Sequence, residues 1–287
     1  MGIRCGTPRA GELDGVVRVL GAWQDDTGPV QLHPGDLGWF WRFGAERTAA
    51  AVRTWRRAGE VLAVGLLDGA ELLRLAVAPG ALGDGELARR MAADVATPER
   101  GVLPAGEVYV AAPPGALAEE LLTRGGWETA EPWTPLRRDL GGPVPDPGVH
   151  VEVVGPGSAA ERAAVQRSAF GRSTFTRARW HTMAAAPPYA DARCLLARDD
   201  RGAPVAAVTV WSAGEGRPGM IEPMGVHADH RGHGYGRAIT LAAARTLREL
   251  GSSSVVVDTA AANTAAVATY ESAGLRRLPD MPDLRRG

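Results

Sequence analysis

The chain has 287 residues, 45% of them hydrophobic and 23% charged, and its formal net charge is −1. A chain of this length can bury one large core or two ordinary ones, and we expect two. The near-neutral balance excludes the strongly basic character of most nucleic-acid-binding domains.

Neither a disulfide framework nor a targeting segment is indicated. The two cysteines, Cys5 and Cys194, lie far apart and lack metal-ligand spacing. We find no charged-then-apolar leader and no run of about 18 apolar residues. These features predict a cytoplasmic protein that is neither secreted nor membrane-spanning.

The first half alternates helical and strand patterns, with an aromatic-rich loop at His33–Trp41. Asp68-Gly69 marks a hairpin turn. The predicted helices are 11–22, 45–57, 86–95 and 116–124, and the predicted strands are 60–67, 71–77, 107–111 and 133–140. Cys194, in the second half, is expected in a strand and in the core.

A proline- and glycine-rich stretch, Gly141–Gly148, separates two halves of nearly equal length. We predict a domain at 1–141, a linker at 142–148 and a domain at 149–287. In the second half the predicted strands are 149–154, 193–198, 204–212, 220–226 and 255–257, and the predicted helices are 159–170, 176–185, 238–250 and a short one from Asn263. The order matches the first half, which indicates an internal repeat of a whole domain.

The loop His230–Arg237 joins a buried strand to a helix. Its glycines permit positive φ, and the helix behind it offers unpaired N–H groups and a positive dipole end, which together suit a pyrophosphate. With 32 arginines and 37 glycines, about 0.5 matches to Arg-x-x-Gly-x-Gly are expected by chance, so the loop needs context. The second half is the positive one, at +3 against −4 for residues 1–143.

The context lies on both sides of the loop. Glu222-Pro223 precedes it, and proline weakens strand pairing. Asn263 is a predicted N-cap, and Ala266 and Tyr270 share one face of the following helix.

In this order, the strand, glycine loop, helix, strand and Asn-capped helix resemble the GNAT superfamily of acyl-CoA-dependent N-acyltransferases. The resemblance covers the CoA loop, Arg231–Gly236, and a second signature, Asn263–Leu275. It implies an α/β (α+β) protein of two tandem GNAT folds, each a mixed, mostly antiparallel sheet flanked by helices. In the first half the counterpart of the loop, Ala78–Gly85, lacks arginine and contains Asp84, so this domain is expected to be degenerate and to have a structural or acceptor-shaping role.

The resemblance also implies roles for individual residues. Tyr270 is the candidate acid for the departing thiolate, or alternatively a core tyrosine. Glu222 is the candidate base, or alternatively an anchor for the substrate ammonium. A backbone N–H of Met224, Gly225 or Val226 would meet the oxyanion. The implied CoA-binding set is Met224, Gly225, Val226, Arg231, Gly232, His233, Gly234, Tyr235, Gly236, Arg237, Asn263 and Ala266.

The acceptor side is less defined. Candidate acceptor contacts are Trp180, His181, Tyr189 and Trp211, and the first half could lend Trp39, Trp41 or Arg42. For His33, Asp36 and those tryptophans, packing is the alternative. His227, His230 and His233 are spaced three apart, but no metal is expected in a loop occupied by phosphate.

We expect transfer of acetyl from acetyl-CoA to a small-molecule amine by direct attack in a ternary complex, in a protein that is either a monomer or a homodimer. One alternative is another donor such as an aminoacyl-tRNA, although nucleic-acid binding is otherwise not indicated. The other alternative is a non-catalytic acyl-CoA-binding module.

Overall fold

The computed structural model describes residues 2–287 and divides into two compact units. The first unit contains the chain up to Leu37, Ala45–Trp133 and Asp280–Gly287. The second contains Gly38–Gly44 and Thr134–Pro279. These bounds differ from the predicted 1–141 and 149–287: the predicted linker 142–148 lies in the second unit, and each unit takes a segment from the other half of the sequence.

The elements up to the middle of the chain follow in order. The strands are β1 (Arg4–Gly6), β2 (Val52–Arg57), β3 (Glu60–Leu67), β4 (Leu72–Val77), β5 (Val108–Ala111) and β6 (Glu128–Asp139). The helices are α1 (Leu13–Ala22), α2 (Pro34–Phe40), α3 (Ala45–Ala51), α4 (Gly85–Ala96) and α5 (Leu117–Arg124).

The later strands are β7 (His150–Val153), β8 (Ala192–Arg198), β9 (Pro204–Trp211), β10 (Gly219–Val226), β11 (Ser254–Ala260), β12 (Arg276–Arg277) and β13 (Met281–Arg286). The later helices are α6 (Ala159–Ala169), α7 (Arg177–Ala184), α8 (Tyr235–Glu249) and α9 (Thr264–Ser272). No helix in residues 2–287 is both long and apolar enough to cross a membrane.

Two predictions in the first half were wrong. Residues 33–41 contain helix α2 rather than a loop, because Pro34 fits a first helical position and His33 and Asp36 form its cap: the Asp36 Oδ2 accepts the His33 N–H at 2.7 Å. The predicted helix 45–57 ends at Ala51, because Val52–Arg57 pairs on both sides as β2, with β1 and β3.

The first unit has a mixed sheet in the order β1-β2-β3-β4-β5-β13-β6, antiparallel except for β4 beside β5. Its last strands come from distant parts of the sequence. Leu284 of β13 pairs with Val110 of β5 and with Thr129 of β6. The core around Trp55, Leu73, Met91 and Val110 is fully buried.

The second unit has the order β6-β11-β10-β9-β8-β7, formed with the later residues of β6. Its strands from β7 to β10 are antiparallel and β10 is parallel to β11. Helix α8 packs against β9, and α6 packs against β9 and β10. The predicted fold class is confirmed, as is the burial of Cys194 in β8.

Candidate active site

A gap opens between β10 and β11. Their parallel register consists of two pairs, Gly219 with Val255 and Met220 with Val256. Beyond these pairs β10 continues through a cis Glu222-Pro223 bond and an irregularity before Met224. Strand β10 runs on to Val226 without a register partner on β11, so the pairing of the two strands ends at Met220.

Backbone N–H groups of β10 point into this gap. The His227 N–H donates to the Val205 oxygen on the β9 side at 2.8 Å. Because N–H groups alternate along an antiparallel strand, that of Gly225 faces β9 as well, whereas those of Met224 and Val226 face the gap. Of the three predicted oxyanion donors, Gly225 is therefore wrongly oriented. Its missing Cβ instead allows close packing, since an added Cβ would lie 2.5 Å from the Ala169 Cβ.

The glycine loop leads directly into α8, three residues earlier than predicted. Gly232 has φ 79° and Gly234, the N-cap, has φ 82°. No side chain caps this helix end, its first turn contains no acid, and the first intrahelical bond is donated by Ala238. The N–H groups before Ala238 thus form an open site for an anion.

The side chains around the loop hold it in place. Arg231 Nη2 donates to the Ala169 oxygen at 2.9 Å, and Arg237 Nε donates to the Ser272 oxygen at 3.0 Å. Gly236 lies against α9, where an added Cβ would be 2.8 Å from the Thr269 Cγ2. The exposed His233 ring stacks on Tyr235 at 6.2 Å.

Tyr270 and Glu222 lie near each other although 48 positions separate them in the sequence. Tyr270 is 6% exposed on α9. Burial raises the pKa of its phenol above the ordinary value, and the negative charges of Glu222 and Asp258 raise it further. A group in this environment remains protonated at neutral pH and can donate a proton.

Asn263 caps α9 as predicted. Its side-chain oxygen accepts the Ala266 N–H at 3.3 Å, while its side chain is exposed. Half-buried Ala266 packs at the edge of the second unit's core. Ala266 lies one turn before Tyr270 and Asn263 two turns before it, on the helix that borders the loop.

Three of the four predicted acceptor residues form one aromatic chain. Tyr189 meets Trp180 at 6.3 Å and Trp211 at 6.1 Å, both edge-on. Trp211 is 1% exposed, and its indole N–H donates to the backbone carbonyl oxygen of Glu222 at 2.7 Å. Trp211 therefore holds the backbone of β10 in place at Glu222 through this hydrogen bond. His181 also contacts the Trp180 ring, with ring centroids 5.0 Å apart, but it is exposed.

The segment Gly38–Gly44 belongs to the second unit despite its position in the first half of the sequence. Gly38 lies on the Trp211 ring, where an added Cβ would be 2.3 Å from a ring carbon. Trp39 stacks on Phe175 at 5.2 Å. The sequence predicts that Trp39, Trp41 or Arg42 contributes to the acceptor pocket. It contains no signal for Gly38, because that contact depends on the packing of residues far apart in the chain.

The counterpart helix end in the first unit is closed. Asp84 caps α4 by accepting the N–H groups of Glu86 and Leu87, and Arg57 pairs with Asp84 at 2.7 Å and with Glu86 at 2.9 Å. The Arg57 hydrogen bond, with the Leu87 N–H, lowers the pKa of the Asp84 carboxyl to about 2. A carboxylate of the chain thus occupies the position that α8 leaves open.

Metal-ligating side chains are not grouped in residues 2–287: no cluster of three or more His, Cys, Asp or Glu could hold an ion. His227 and His230 do contact each other, with ring centroids 5.5 Å apart. His227 Nδ1 accepts the Asp229 N–H and so shapes the turn before the loop.

Comparison with known proteins agrees with this geometry. Residues 163–275 match the model of the acetyltransferase (GNAT) family. They form a GNAT domain. Over 63 residues the chain is 44% identical to a mycothiol acetyltransferase of Thermobispora bispora, a stretch that covers 22% of this chain and about a fifth (21%) of the relative.

The fold of the whole chain also has relatives. An acetyltransferase of the GNAT family from Colwellia psychrerythraea matches with a TM-score of 0.64 and 11% identity over 100% of both chains. A tandem GNAT protein from the clavulanic acid biosynthesis pathway matches with a TM-score of 0.59 and 18% identity over 99% of this chain and 98% of that one. At these identities the likeness is one of fold.

Proposed function

We propose that the protein is an N-acyltransferase that transfers acetyl from acetyl-CoA to the primary amine of a small molecule. The proposal is carried by one arrangement within the GNAT domain: the uncapped, glycine-bounded start of α8 lies next to a strand gap that Glu222 and Tyr270 border. An anionic cofactor with an extended arm fits the open N–H groups and the gap. Asn263 would fix that arm from the side of α9.

When bound, acetyl-CoA supplies the acetyl group as a thioester. Glu222 takes a proton from the acceptor ammonium, directly or through water, and so frees the amine lone pair. The N–H groups of Met224 and Val226 stabilise the oxyanion as the N–C bond forms. As the C–S bond breaks, Tyr270 donates its phenolic proton to the sulfur, and the nitrogen of the new amide releases its second proton, which restores the phenol.

The test is a thiol-release assay with acetyl-CoA and a panel of small primary amines, with product masses measured. Acetylated product supports the proposal. CoA binding without turnover on any amine would favour a non-catalytic module instead. A salt-sensitive RNA complex without CoA binding would favour an aminoacyl-tRNA donor.

We predict that one acetyl-CoA binds per chain. Asp84 and Arg57 close the start of α4 in the first unit, whereas the start of α8 is open. Isothermal titration should give a stoichiometry near one, and Gly234→Asp, which puts a carboxylate at the N-cap of α8, should abolish the binding. Two sites per chain would contradict the closed state of the first unit.

We predict that Trp211→Phe lowers kcat about tenfold with little change in the KM for acetyl-CoA, because a group held less firmly loses alignment. The substitution removes the N–H that fixes the Glu222 carbonyl. Gly38→Ala should act in the same direction by displacing the Trp211 ring. Gly15→Ala is the matched control, since its added Cβ meets nothing within 4 Å.

A further inference from the structure

Arg162 on α6 is a buried cation without an ion pair. Arg162 is 0% exposed, and no carboxylate in the described chain lies within ion-pair distance of its guanidinium. Its Nη1 donates to the Gln166 side-chain oxygen at 2.8 Å and its Nη2 to the Thr209 hydroxyl at 3.2 Å, both neutral. Its Nε has no hydrogen-bond partner among residues 2–287.

Two other charges that are withdrawn from solvent are compensated. Buried Asp94 accepts from Arg90 and Arg100, and half-buried Arg198 donates to two glutamates. An uncompensated buried charge costs several kcal/mol. Arg162 is therefore an exception that suits a site where a missing anion completes the pairing.

A second unpaired donor lies in the same core. Trp180 is 4% exposed and its indole N–H has no partner in the described chain. Trp180 lies in one buried cluster with Ala159 and Ala163, which flank Arg162 on α6, and with Phe175 and Trp211. Within this cluster the two buried polar atoms without a hydrogen-bond partner, Arg162 Nε and Trp180 Nε1, are both donors, which favours a ligand that presents oxygen lone pairs.

The cluster extends towards the proposed reaction centre. Trp180 contacts Tyr189, Tyr189 contacts Trp211, and Trp211 binds the carbonyl of Glu222. An acceptor whose amine is at Glu222 would therefore direct its remainder along this aromatic chain. Arg162 lies near Tyr189, since its charge acts on that phenol.

The sequence that follows Arg162 has one sign of charge. Residues 162–190 contain five arginines and neither aspartate nor glutamate, in a chain of net charge −1. Arg167 and Arg179 are fixed to the connection between α6 and α7, through the Phe175 and Thr174 carbonyls. Such a concentration of one sign raises the local concentration of anions.

Aromatic rings close the guanidinium off. Phe175 lies 4.4 Å from the Arg162 guanidinium carbon and Trp39 lies 5.9 Å from it. Phe175 belongs to the short connection between α6 and α7, outside any helix or strand. When the connection between α6 and α7 moves aside, the Phe175 ring leaves the guanidinium of Arg162, and a ligand anion would take its place there.

We propose that the acceptor amine also carries an oxyanion, a carboxylate or a phosphate, and that Arg162 is the specificity-determining residue that pairs with it. Trp180 contributes a second hydrogen bond. This inference rests on the proposed acetyl transfer and narrows its substrate class from amines in general to anionic amines.

The test compares matched amines on the same enzyme. Free amino acids are assayed against their carboxamides, and O-phosphoethanolamine against ethanolamine, so the two arms separate carboxylate from phosphate. The wild type should prefer the anionic member of one pair about 10²-fold in kcat/KM. Arg162→Met should reduce that preference to about threefold or less by raising the KM of the anionic member, and Trp180→Phe should reduce it about tenfold.

Because both members of a pair are assayed on one protein, loss of folded enzyme cancels from the ratio. Arg201→Gln, at an exposed turn, should keep the full preference. Acetylation without preference, or a preference that survives Arg162→Met, overturns the inference and leaves the acetyl transfer standing. If no amine is acetylated, the acetyl transfer fails, and the anion site is judged by whether the same anionic amines raise the melting temperature of the wild type and not of Arg162→Met.

Discussion

Tyr270→Phe should lower kcat by about 10² to 10⁴ while the KM for acetyl-CoA stays nearly constant, because the change removes a proton donor and little volume. The phenol is 6% exposed, and burial together with Glu222 and Asp258 raises its pKa, so the proton is present at the working pH. Steady-state kinetics on an amine from the thiol-release panel measures the loss.

The matched control for that experiment is Tyr109→Phe, which removes an exposed hydroxyl bonded to Glu107 in the first unit. It should leave kcat unchanged. The pH profile provides a second check: because the pKa of Tyr270 lies above its ordinary value of about 10, wild-type kcat should have no descending limb from this phenol below about pH 10. Full activity of Tyr270→Phe would show that the thiolate takes its proton elsewhere.

Asp94→Ala should destabilise the first unit by about 3 kcal/mol, the scale for removing one partner from a buried charge network. Its carboxylate is 1% exposed and accepts the Trp55 indole N–H at 3.0 Å, Arg90 Nε at 2.8 Å and Arg100 Nη1 at 2.8 Å. The substitution leaves the buried indole N–H unsatisfied. Calorimetry or urea unfolding monitored by tryptophan fluorescence measures the change.

Glu99→Ala, an exposed carboxylate close by in the sequence, is the control and should change the stability by less than about 0.5 kcal/mol. Asp94→Asn should fall between the two, because the amide oxygen still accepts one hydrogen bond. If Asp94→Ala and Glu99→Ala were equally stable, hydration of Arg90 and Arg100 by water would compensate for the hydrogen bonds that they lose with Asp94, which would contradict the prediction.

Local patterns predicted most of the second unit. The turn chemistry of Gly232 and Gly234, the cap at Asn263 and the buried run ending at Val226 are all local signals, and each element formed within a few residues of its expected bounds. The cofactor side of the candidate site depends mainly on these elements. The direction of the Gly225 N–H depends on the register with β9, which the sequence does not reveal.

The acceptor side was harder to predict because it depends on distant contacts. Helix α6 has a stripe of buried residues at spacings of three and four, which includes Ala159, Arg162, Ala163 and Gln166. The pattern was available in the sequence, but arginine is almost never fully buried, so the stripe did not stand out. Gly38 contacts Trp211, and β13 pairs with β5, across more than a hundred positions of sequence. No local signal can predict contacts over such separations.

The position of β13 bears on how the protein is made. The first unit's sheet needs Met281–Arg286 between β5 and β6, and these residues are translated after the entire GNAT domain. During synthesis, the sheet of the first unit therefore stays incomplete until β13 has been translated, by which time all strands of the second unit are present. This order is the reverse of the usual one, in which the N-terminal domain folds first. A fragment cut at the proline- and glycine-rich stretch would therefore leave the sheet of the first unit without β13, the strand between β5 and β6.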